Sequence, residues 1–471
     1  MKKISPKHIH FMGIGGSAAS GVAIMAKKSG YEVDGCDLEA NSPYLGKVKK
    51  EGIRTFKGHS ANHLRGIDIL AASPAIVYQN KSHPEFKTAK KLGIFCTWDE
   101  FVGRYLLIDK ETICITGTHG KSTVSSIAAQ LFEKANMDPS AIIGASVKEW
   151  NANFKVGKGR IFIIEADDFY EKFLSYHPST IILNNIEFDH PDYFKSENHM
   201  VSSYSKFIKL LEGSKNLIVN QDSYLVKKLL SRLETKFLKS INLYGYSLEK
   251  SPAIQMKNSY QATISETSPK KTVFTVTEMG SDQWETYQLS IPGIFNVSNS
   301  MGVIILGRIF GIDEKIIKNT LYTFSGTGRR LEMIGEKSGV KVYDDYAHHP
   351  TAIKVTLEAL RQKYPEKKIL AIIEPHSYSR TKALLSEYKG IFSNADEVMV
   401  GPIFKARDLK TFGMSGNSIL KVAGHKNSIY LPDLKKIISF LKKNIEKGDV
   451  IIVMGAGYSY KWAREILRNL N

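Results

Sequence analysis

Residues 111–126, ETICITGTHGKSTVSS, decide how the chain is read. The apolar run Ile113–Thr116 has the length of a buried strand, and a helical pattern starts at about Thr123. Between them lies Gly117-Thr118-His119-Gly120-Lys121-Ser122. Strand, glycine loop and helix in this order make a phosphate cradle. The glycines let backbone N–H groups converge, and the helix N-terminus adds partial positive charge. Lys121 is then placed to reach the outer phosphates, and the Ser122 hydroxyl to ligate Mg²⁺. The general pattern asks for a further Gly where this chain has Ile115, so an ordinary glycine turn is the plainer alternative. Gly-Lys-Ser between strand and helix favours a nucleotide.

The chain has 471 residues, too many for one core, so two to four domains are expected. A hydrophobic share of 42% with 24% charged residues is that of a soluble globular protein. The formal charge of +18 suits nucleic acid or an anionic small substrate. The basic residues are scattered without a long run, so nucleic acid is not the expected partner. Cys36, Cys96 and Cys114 are widely spaced, with no pair at metal-ligand spacing and no disulfide framework, as expected in a reducing cytoplasm. MKKISPKHIH lacks the apolar core of a signal peptide, and no stretch approaches a membrane span.

From the N-terminus, His8–Met12 reads as a strand, followed by Gly13-Ile14-Gly15-Gly16 and a helix from Ser17 to Ser29. Tyr31–Cys36 reads as a second strand with Asp37 just past its end. Glycines at the first turn and an acid about 20 positions on resemble a dinucleotide-binding βαβ unit. The run is G-x-G-G with Ala18 at the sixth position, which favours a diphosphate-bearing ligand over a nicotinamide cofactor. A strand at Ile67–Ala72, a turn at Ser73-Pro74-Ala75-Ile76, a helix near Pro84–Leu92 and a strand at Ile94–Thr97 follow, and the first domain closes near Leu106. In the second domain, Arg160–Glu165 delivers Glu165, Asp167 and Asp168 at its carboxyl end, and Thr180–Asn185 delivers Asn184, Asn185, Glu187, Asp189 and His190. Two acid-bearing strand ends beside a phosphate loop suit phosphoryl transfer, with Glu165 and His190 as Mg²⁺ ligands.

Lys250–Leu289 reads as a β-rich edge, and PGIFNVSN at 292–299 leads into an apolar helix ending near Phe310. Asn296 and Asn299 are placed to cap that helix or to reach a base or phosphate. Ser325–Arg330 reads as a hinge whose Arg329 and Arg330 can close on a phosphate. Beyond it, strands ending at Tyr343, Ile373, Val400 and Met454 describe a further open α/β sheet. Adjacent His348 and His349 point in different directions, so hydrogen-bonding roles are expected of them.

Eight features in order, IHFMGIGG with Asp37, GTHGKS, EAD, NIEFDHPDYF, PGIFNVSN, GTGRR, DDYAHHPT and PHSYSRTK, resemble the Mur ligases over nearly the whole length. These are the ATP-dependent amino-acid ligases of peptidoglycan synthesis. The resemblance implies an α/β protein of three domains. They are a Rossmann-like UDP-sugar domain at 1–106, a central P-loop ATPase domain with a parallel sheet and β-rich edge at 107–327, and a Rossmann-like amino-acid-binding domain at 328–471. It implies ATP at Gly117, Thr118, His119, Gly120, Lys121, Ser122, Thr123, Asn296, Asn299, Arg330, Asp345 and His348, and Mg²⁺ at Ser122, Glu165 and His190. UDP-N-acetylmuramate falls to Gly13, Ile14, Gly15, Gly16, Asp37 and Ser73, and L-alanine to Tyr346, His376 and Arg380. Lys121, Glu165, His190 and Arg330 become the catalytic set of an acyl-phosphate mechanism in a monomer or homodimer. NNIEFDH and DDYAHHPTAI lean toward the branch that recycles the tripeptide L-Ala-γ-D-Glu-meso-diaminopimelate onto the UDP-sugar, while PHSYSRTK and EKFLSYHP lean back to the L-alanine branch. Ser377 stands where some alanine ligases carry Arg. From other classes, a P-loop ATPase stimulated by nucleic acid or a partner fits the basic charge. A nicotinamide oxidoreductase would leave the phosphate loop and both acid-bearing strand ends unexplained.

Overall fold

The computed structural model describes residues 7–38, 44–80, 82–248, 256 and 258–470. Its strands form three sheets. The first is parallel throughout, with β1 (His8–Met12), β2 (Glu32–Asp37), β3 (Arg54–Lys57), β4 (Ile69–Ala72) and β5 (Phe95–Thr97) in the order β3-β2-β1-β4-β5. β4 is buried along its whole length, as is β1 apart from His8, because helices cover both faces of such a sheet. The order reverses between β1 and β4, opening a crevice at their carboxyl ends where Gly13 and Ser73 sit. Two local readings change. Asp37 is the last residue of β2, paired with Lys57, and does not lie past it. Ser73-Pro74 does not make a free turn: Pro74 occupies the first turn of a short helix, Pro74–Gln79, where its fixed φ suits helix entry.

The second sheet has ten strands in the order β15-β14-β13-β12-β11-β10-β6-β9-β7-β8. At its centre β6 (Glu111–Thr116) lies parallel between β9 (Ile161–Glu165) and β10 (Thr180–Leu183). β7 (Ser140–Val147) and β8 (Ala152–Lys155) extend one side, and β11 (Asn216–Asn220) and β12 (Asn242–Ser247) the other. An antiparallel meander of β13 (Asn258–Thr267), β14 (Thr272–Glu278) and β15 (Trp284–Leu289) forms the expected β-rich edge. Residues 250–255 and 257 of that expectation lie outside the described residues. One face buries Ile113 and Ile115 against Val124, Ile127 and Leu131 of the helix Lys121–Lys134, and against Met301, Ile304 and Ile305 of the helix Ile294–Ile309.

The third sheet comprises β16 (Glu332–Lys337), β17 (Val340–Asp345), β18 (Ile369–Glu374), β19 (Glu397–Val400), β20 (Ser428–Tyr430) and β21 (Val450–Gly455), ordered β16-β17-β21-β18-β19-β20. The sequence reading found the four inner strands. It missed β16 and β20 because these edge strands bury no residue fully and so carry no apolar run. No helix among the described residues is long and apolar enough to cross a membrane.

The chain leaves the first sheet through a turn at Val102–Leu106. An ideal Cβ at Gly103 would lie 1.9 Å from the Ser175 carbonyl oxygen, so the backbones touch there. Gly103→Ala is expected to lower stability by about 1–3 kcal/mol through this overpacking. A urea midpoint equal to that of the parent protein would show that the contact does not hold the two segments together.

Candidate active site

The phosphate loop follows β6, and its shape is forced by two glycines. Gly117 has φ +132 and Gly120 has φ +81, conformations that L side chains rarely adopt. An ideal Cβ on Gly120 would lie 2.3 Å from Asn299 Oδ1 and 2.9 Å from Asn184 Nδ2. Side chains after β10 hold the loop from below. The His119 N–H donates to Asn185 Oδ1 at 2.8 Å, and Asn184 and Asn185 donate back to the His119 carbonyl. The Thr118 hydroxyl donates to the Glu187 carbonyl and accepts from the Glu187 N–H. Thr123 lies buried in the first turn of the helix that opens at Lys121.

Lys121 curls over the loop, its Nζ 2.6 Å from the Gly117 carbonyl and 3.3 Å from Asp168 Oδ1. Asp168 is itself buried and accepts from the Tyr204 hydroxyl at 3.1 Å. Burial works against the charge on Lys121, but the carboxylates of Asp168, Asp167 and Glu165 outweigh it and raise its pKa. The Ser122 hydroxyl donates to Glu165 Oε1 at 3.0 Å, and the Gly144 N–H donates to Glu165 Oε2 at 2.5 Å. Arg330 reaches from the segment beyond the second sheet to place Nη2 3.4 Å from Ser122 Oγ. Glu165 and Arg330 thus meet at the Ser122 hydroxyl, with the Lys121 ammonium on the same loop against Asp168. A hydroxyl beside a carboxylate is the hard-oxygen set that Mg²⁺ takes. Asn296 and Asn299 lie within the helix Ile294–Ile309, whose cap is Gly293, so neither caps it. Asn299 instead abuts Gly120, held by its hydrogen bond to Asn296 Oδ1 at 3.1 Å.

His190, named from sequence with Ser122 and Glu165, belongs to a neighbouring cluster. Its Nδ1 accepts from Arg380 Nη2 at 3.2 Å, and its backbone has φ +54. The buried Arg380 pairs with Asp189 at 2.6 Å and donates to His376 Nδ1 at 2.9 Å. Burial opposes the charge on Asp189, yet Arg380 holds its carboxyl well below the usual range. Burial, aided by Arg380, pushes His376 down to about 3, so it is a neutral acceptor. His348 is likewise pushed well down by burial and Arg380 and bonds the Tyr346 carbonyl through Nδ1. The half-exposed Tyr346 ring lies 5.1 Å from the Arg330 guanidinium.

The two hinge arginines divide. Arg330 faces the phosphate loop, whereas Arg329 bonds Asp344, the Gly455 carbonyl and Ser459 within the third sheet and does not close on the loop. Asp345 accepts the Leu331 and Ala347 N–H groups, both at 2.7 Å, and so fixes the backbone that carries Arg330. Burial raises its pKa, with Arg330 pulling the other way.

A third cluster joins the second and third sheets. Glu187 contacts His119 at 2.7 Å, accepts from the Thr351 hydroxyl and lies 4.0 Å from His349, whose Nε2 is 3.2 Å from the Phe188 carbonyl. Burial favours the neutral acid, but His119 outweighs it and holds Glu187 at about 2. In the first sheet, the Gly15 N–H donates to Asp37 Oδ2 at 2.8 Å, and the Gly13 and Ile14 N–H groups both reach the Cys36 carbonyl. Gly16 caps the helix Ser17–Lys28, and the Ser73 N–H bonds the Met12 carbonyl. The six residues named for the UDP-sugar therefore surround one helix N-terminus at the switch point.

Three family models match in order: "Mur ligase family, catalytic domain" over residues 8–104, "Mur ligase middle domain" over 115–307 and "Mur ligase, glutamate ligase domain" over 329–457. A UDP-N-acetylmuramate–L-alanine ligase of Acetivibrio thermocellus is 34% identical over 469 residues, which cover 98% of this chain and 96% of that protein. The chain belongs to the Mur ligase family. Among solved structures, a UDP-N-acetylmuramate–alanine ligase of Thermotoga maritima matches with TM-score 0.76 at 23% identity, covering 98% of this chain and 99% of that one. A murein peptide ligase of Psychrobacter arcticus matches with TM-score 0.70 at 22% identity over 98% of both chains. At these identities the structures speak for the fold.

For this Mur ligase, sequence reading named the residues that converge on Ser122 but not what holds them. Asp168 behind Lys121 and the Asn184–Asn185 pair under the loop were visible as strand-end residues, without a signal for their partners, and Gly144 behind Glu165, inside β7, was not named at all. Gly120→Ala is expected to weaken ATP binding by about tenfold or more, since φ +81 and the Asn299 contact both resist a Cβ. Unchanged affinity in nucleotide titration would contradict this. Glu187 supplies a pH test. Its folded pKa of about 2 lies below the ordinary 4.5, so it stabilises the protein above about pH 4.5, and that contribution is lost as pH falls toward 2. Glu187→Gln is expected to be less stable than the parent at neutral pH and to lose less stability across that acid window. Parallel pH–stability curves would refute the linkage.

Proposed function

We propose that this Mur ligase joins L-alanine to the lactyl carboxylate of UDP-N-acetylmuramate, consuming ATP with Mg²⁺ in the cytoplasm. The carboxylate oxygen attacks the γ-phosphorus and ADP leaves, giving an acyl phosphate. The amine of L-alanine then attacks the acyl carbon, phosphate leaves, the amine loses its proton, and an amide remains. The observation that carries the phosphoryl step is the meeting of Glu165 and Arg330 at the Ser122 hydroxyl, with Lys121 folded over the same loop against Asp168. Cations and N–H donors fixed before reaction stabilise charge as it develops, without the cost of reorganising. Ser122 and Glu165 would hold Mg²⁺, which would neutralise charge between the outer phosphates. The choice of sugar and amino acid rests on the full-length likeness to the L-alanine ligases.

The remaining roles follow from position. Gly13–Gly16, Asp37 and Ser73 would seat the UDP diphosphate at the helix N-terminus. Asn296, Asn299, Asp345 and His348 would border the nucleotide. Tyr346, His376 and Arg380 would receive the amino acid, its carboxylate replacing one imidazole contact of the Arg380 guanidinium. His190 would join the metal set only after releasing Arg380, so amino-acid binding and metal geometry would be coupled through that one side chain. Boundaries near 106 and 327 would let the third domain move as a body around the hinge, closing the site to water that would hydrolyse the acyl phosphate.

Phosphate release from ATP and Mg²⁺ with UDP-N-acetylmuramate tests the reading, comparing L-alanine, L-serine, glycine and L-Ala-γ-D-Glu-diaminopimelate. Turnover that needs the UDP-sugar and is fastest with L-alanine is expected. Turnover with the tripeptide alone would move the chain to the recycling branch, and indifference to UDP-sugar would overturn the ligase reading. Arg330→Ala is expected to lower kcat by about 100-fold or more, with UDP-sugar affinity little changed. An equal loss of binding would remove Arg330 from the chemical step.

A further inference from the structure

The first sheet holds a set of side chains that phosphoryl transfer does not use. β1 and β2 run in register, His10 opposite Asp34 and Met12 opposite Cys36. Strand alternation therefore puts His10, Asp34 and Cys36 on one face. Onto that face fold His63, from the turn Ala61–Leu64, and Glu85, from the first turn of the helix Pro84–Lys91. His10 Nε2 lies 3.2 Å from Cys36 Sγ and 3.2 Å from Glu85 Oε1. Glu85 Oε1 is 3.5 Å from Cys36 Sγ and 3.3 Å from His63 Nδ1. One ligand atom from each of His10, Cys36, His63 and Glu85 lies within 4.8 Å of all the others. His10, Cys36 and Glu85 have no exposed surface.

We propose that His10, Cys36, His63 and Glu85 form a structural binding site for a divalent zinc-like cation inside the first domain. Four ligands about 2.0–2.3 Å from a zinc ion and tetrahedrally arranged stand about 3.3–3.8 Å apart; four of the six distances fall at or near that spacing, and those from His63 to His10 and Cys36 lie within 4.8 Å. The far side of His10 carries the partner such a ligand needs, since Nδ1 contacts Asp34 Oδ1 at 2.5 Å. That carboxylate fixes the tautomer that leaves Nε2 free to bind metal. Charge balances as well. Burial and the neighbouring Glu85 keep the Cys36 thiol protonated in the metal-free protein. A dication displaces that proton to solvent, and thiolate plus carboxylate then neutralise it. Sulfur and imidazole ligands select zinc over magnesium. His59 Nδ1, 3.0 Å from Cys36 Sγ, and the Ser60 N–H, 3.0 Å from Glu85 Oε2, line the rim. His63, stacked on Phe56 at 4.8 Å and the one ligand of the four with exposed surface, gives the ion its way in. Spacing along the chain hides the set, because its members come from four separate segments. Its place matters: the Cys36 carbonyl accepts the Gly13 N–H, so an ion here would pin the strand that braces the glycine turn.

The test uses full-length protein stripped with a chelator and titrated with Co²⁺ alone, a spectroscopic stand-in for Zn²⁺. A thiolate-to-cobalt charge-transfer band saturating at one equivalent, and bleached by Zn²⁺, is expected. Cys114→Ser should keep the band and Cys36→Ser should abolish it. Asp34→Asn, in which the positioning carboxylate is lost, should weaken Co²⁺ binding by about 10–100-fold. Should Cys36→Ser fail to fold, His63→Gln at the accessible edge serves instead, and loss or marked weakening of the band is expected. No thiolate band at saturating Co²⁺, a band that survives Cys36→Ser, or one undiminished by His63→Gln, would overturn the site. The readout is independent of ligase activity.

Discussion

Gly120 is the point on which the site depends. Its left-handed backbone leaves no room for a side chain against Asn299 and Asn184, so the loop, the helix Ile294–Ile309 and the end of β10 fit together in one way. That fit aims the N-terminus of the helix Lys121–Lys134 into the crevice and brings the Ser122 hydroxyl to Glu165. Everything that converges there is held from behind. Asp168 and Tyr204 stand behind Lys121, Gly144 behind Glu165 and the Asp345 carboxylate behind the backbone of Arg330. Groups held in this way need little reorganisation when a phosphoryl group arrives, which is where electrostatic stabilisation gains most.

The segment after β10 has a second task. Asn184 and Asn185 grip the phosphate loop, while Glu187, Phe188, Asp189 and His190 reach Thr351, His349 and Arg380, in the segments that follow β17 and β18. One short stretch therefore reads both the nucleotide loop and the position of the C-terminal sheet. The buried Arg380–Asp189 pair is costly to break without a replacement anion, because either partner alone would be an uncompensated buried charge. The contacts of Arg380 with the His190 and His376 imidazoles are the ones that can be exchanged at less cost.

The fold was legible at many strands that are apolar runs closed by glycine or acid, although β7 and β11, with buried apolar runs of their own, were not named. β1, β6, β9 and β18 are buried on both faces, and each was found within a residue or two. The edge strands β16 and β20 were not, since half-exposed strands of mixed polarity carry no such signal. At the site, spacing named Lys121, Ser122 and Glu165 because each lies within a few residues of a strand end. It placed Arg329 beside Arg330 in the same role, because adjacent arginines look alike in sequence. Only the fold shows Arg329 turned back to Asp344 and Gly455. The grouping of His10, Cys36, His63 and Glu85 was invisible for the same reason: register between two strands and the landing place of a loop are tertiary facts.

The two cradles, one at the first sheet and one at the second, are physically continuous. Asn153 donates through Nδ2 to the Ser17 carbonyl, at the start of the helix that opens after Gly16, and to the Ile143 carbonyl. The next residue, Gly144, donates to Glu165, which accepts from Ser122 in turn. Phe154 packs against Gly21 on that same first helix, where an ideal Cβ would lie 2.8 Å from its ring. A helix N-terminus suited to a diphosphate is thus joined to a magnesium-type hydroxyl–carboxylate pair through four hydrogen bonds. Such contiguity is not in itself coupling. It does fix the geometry that, under the proposed function, a carboxylate carried on the UDP-sugar would meet. On that proposal the substrate would extend from the Gly13–Gly16 turn along the Asn153 strand to bring its reactive oxygen to the phosphate loop. The proposed hinge at Ser325–Gly328 would then need to move only the third sheet, because hydrogen bonds already tie the first two.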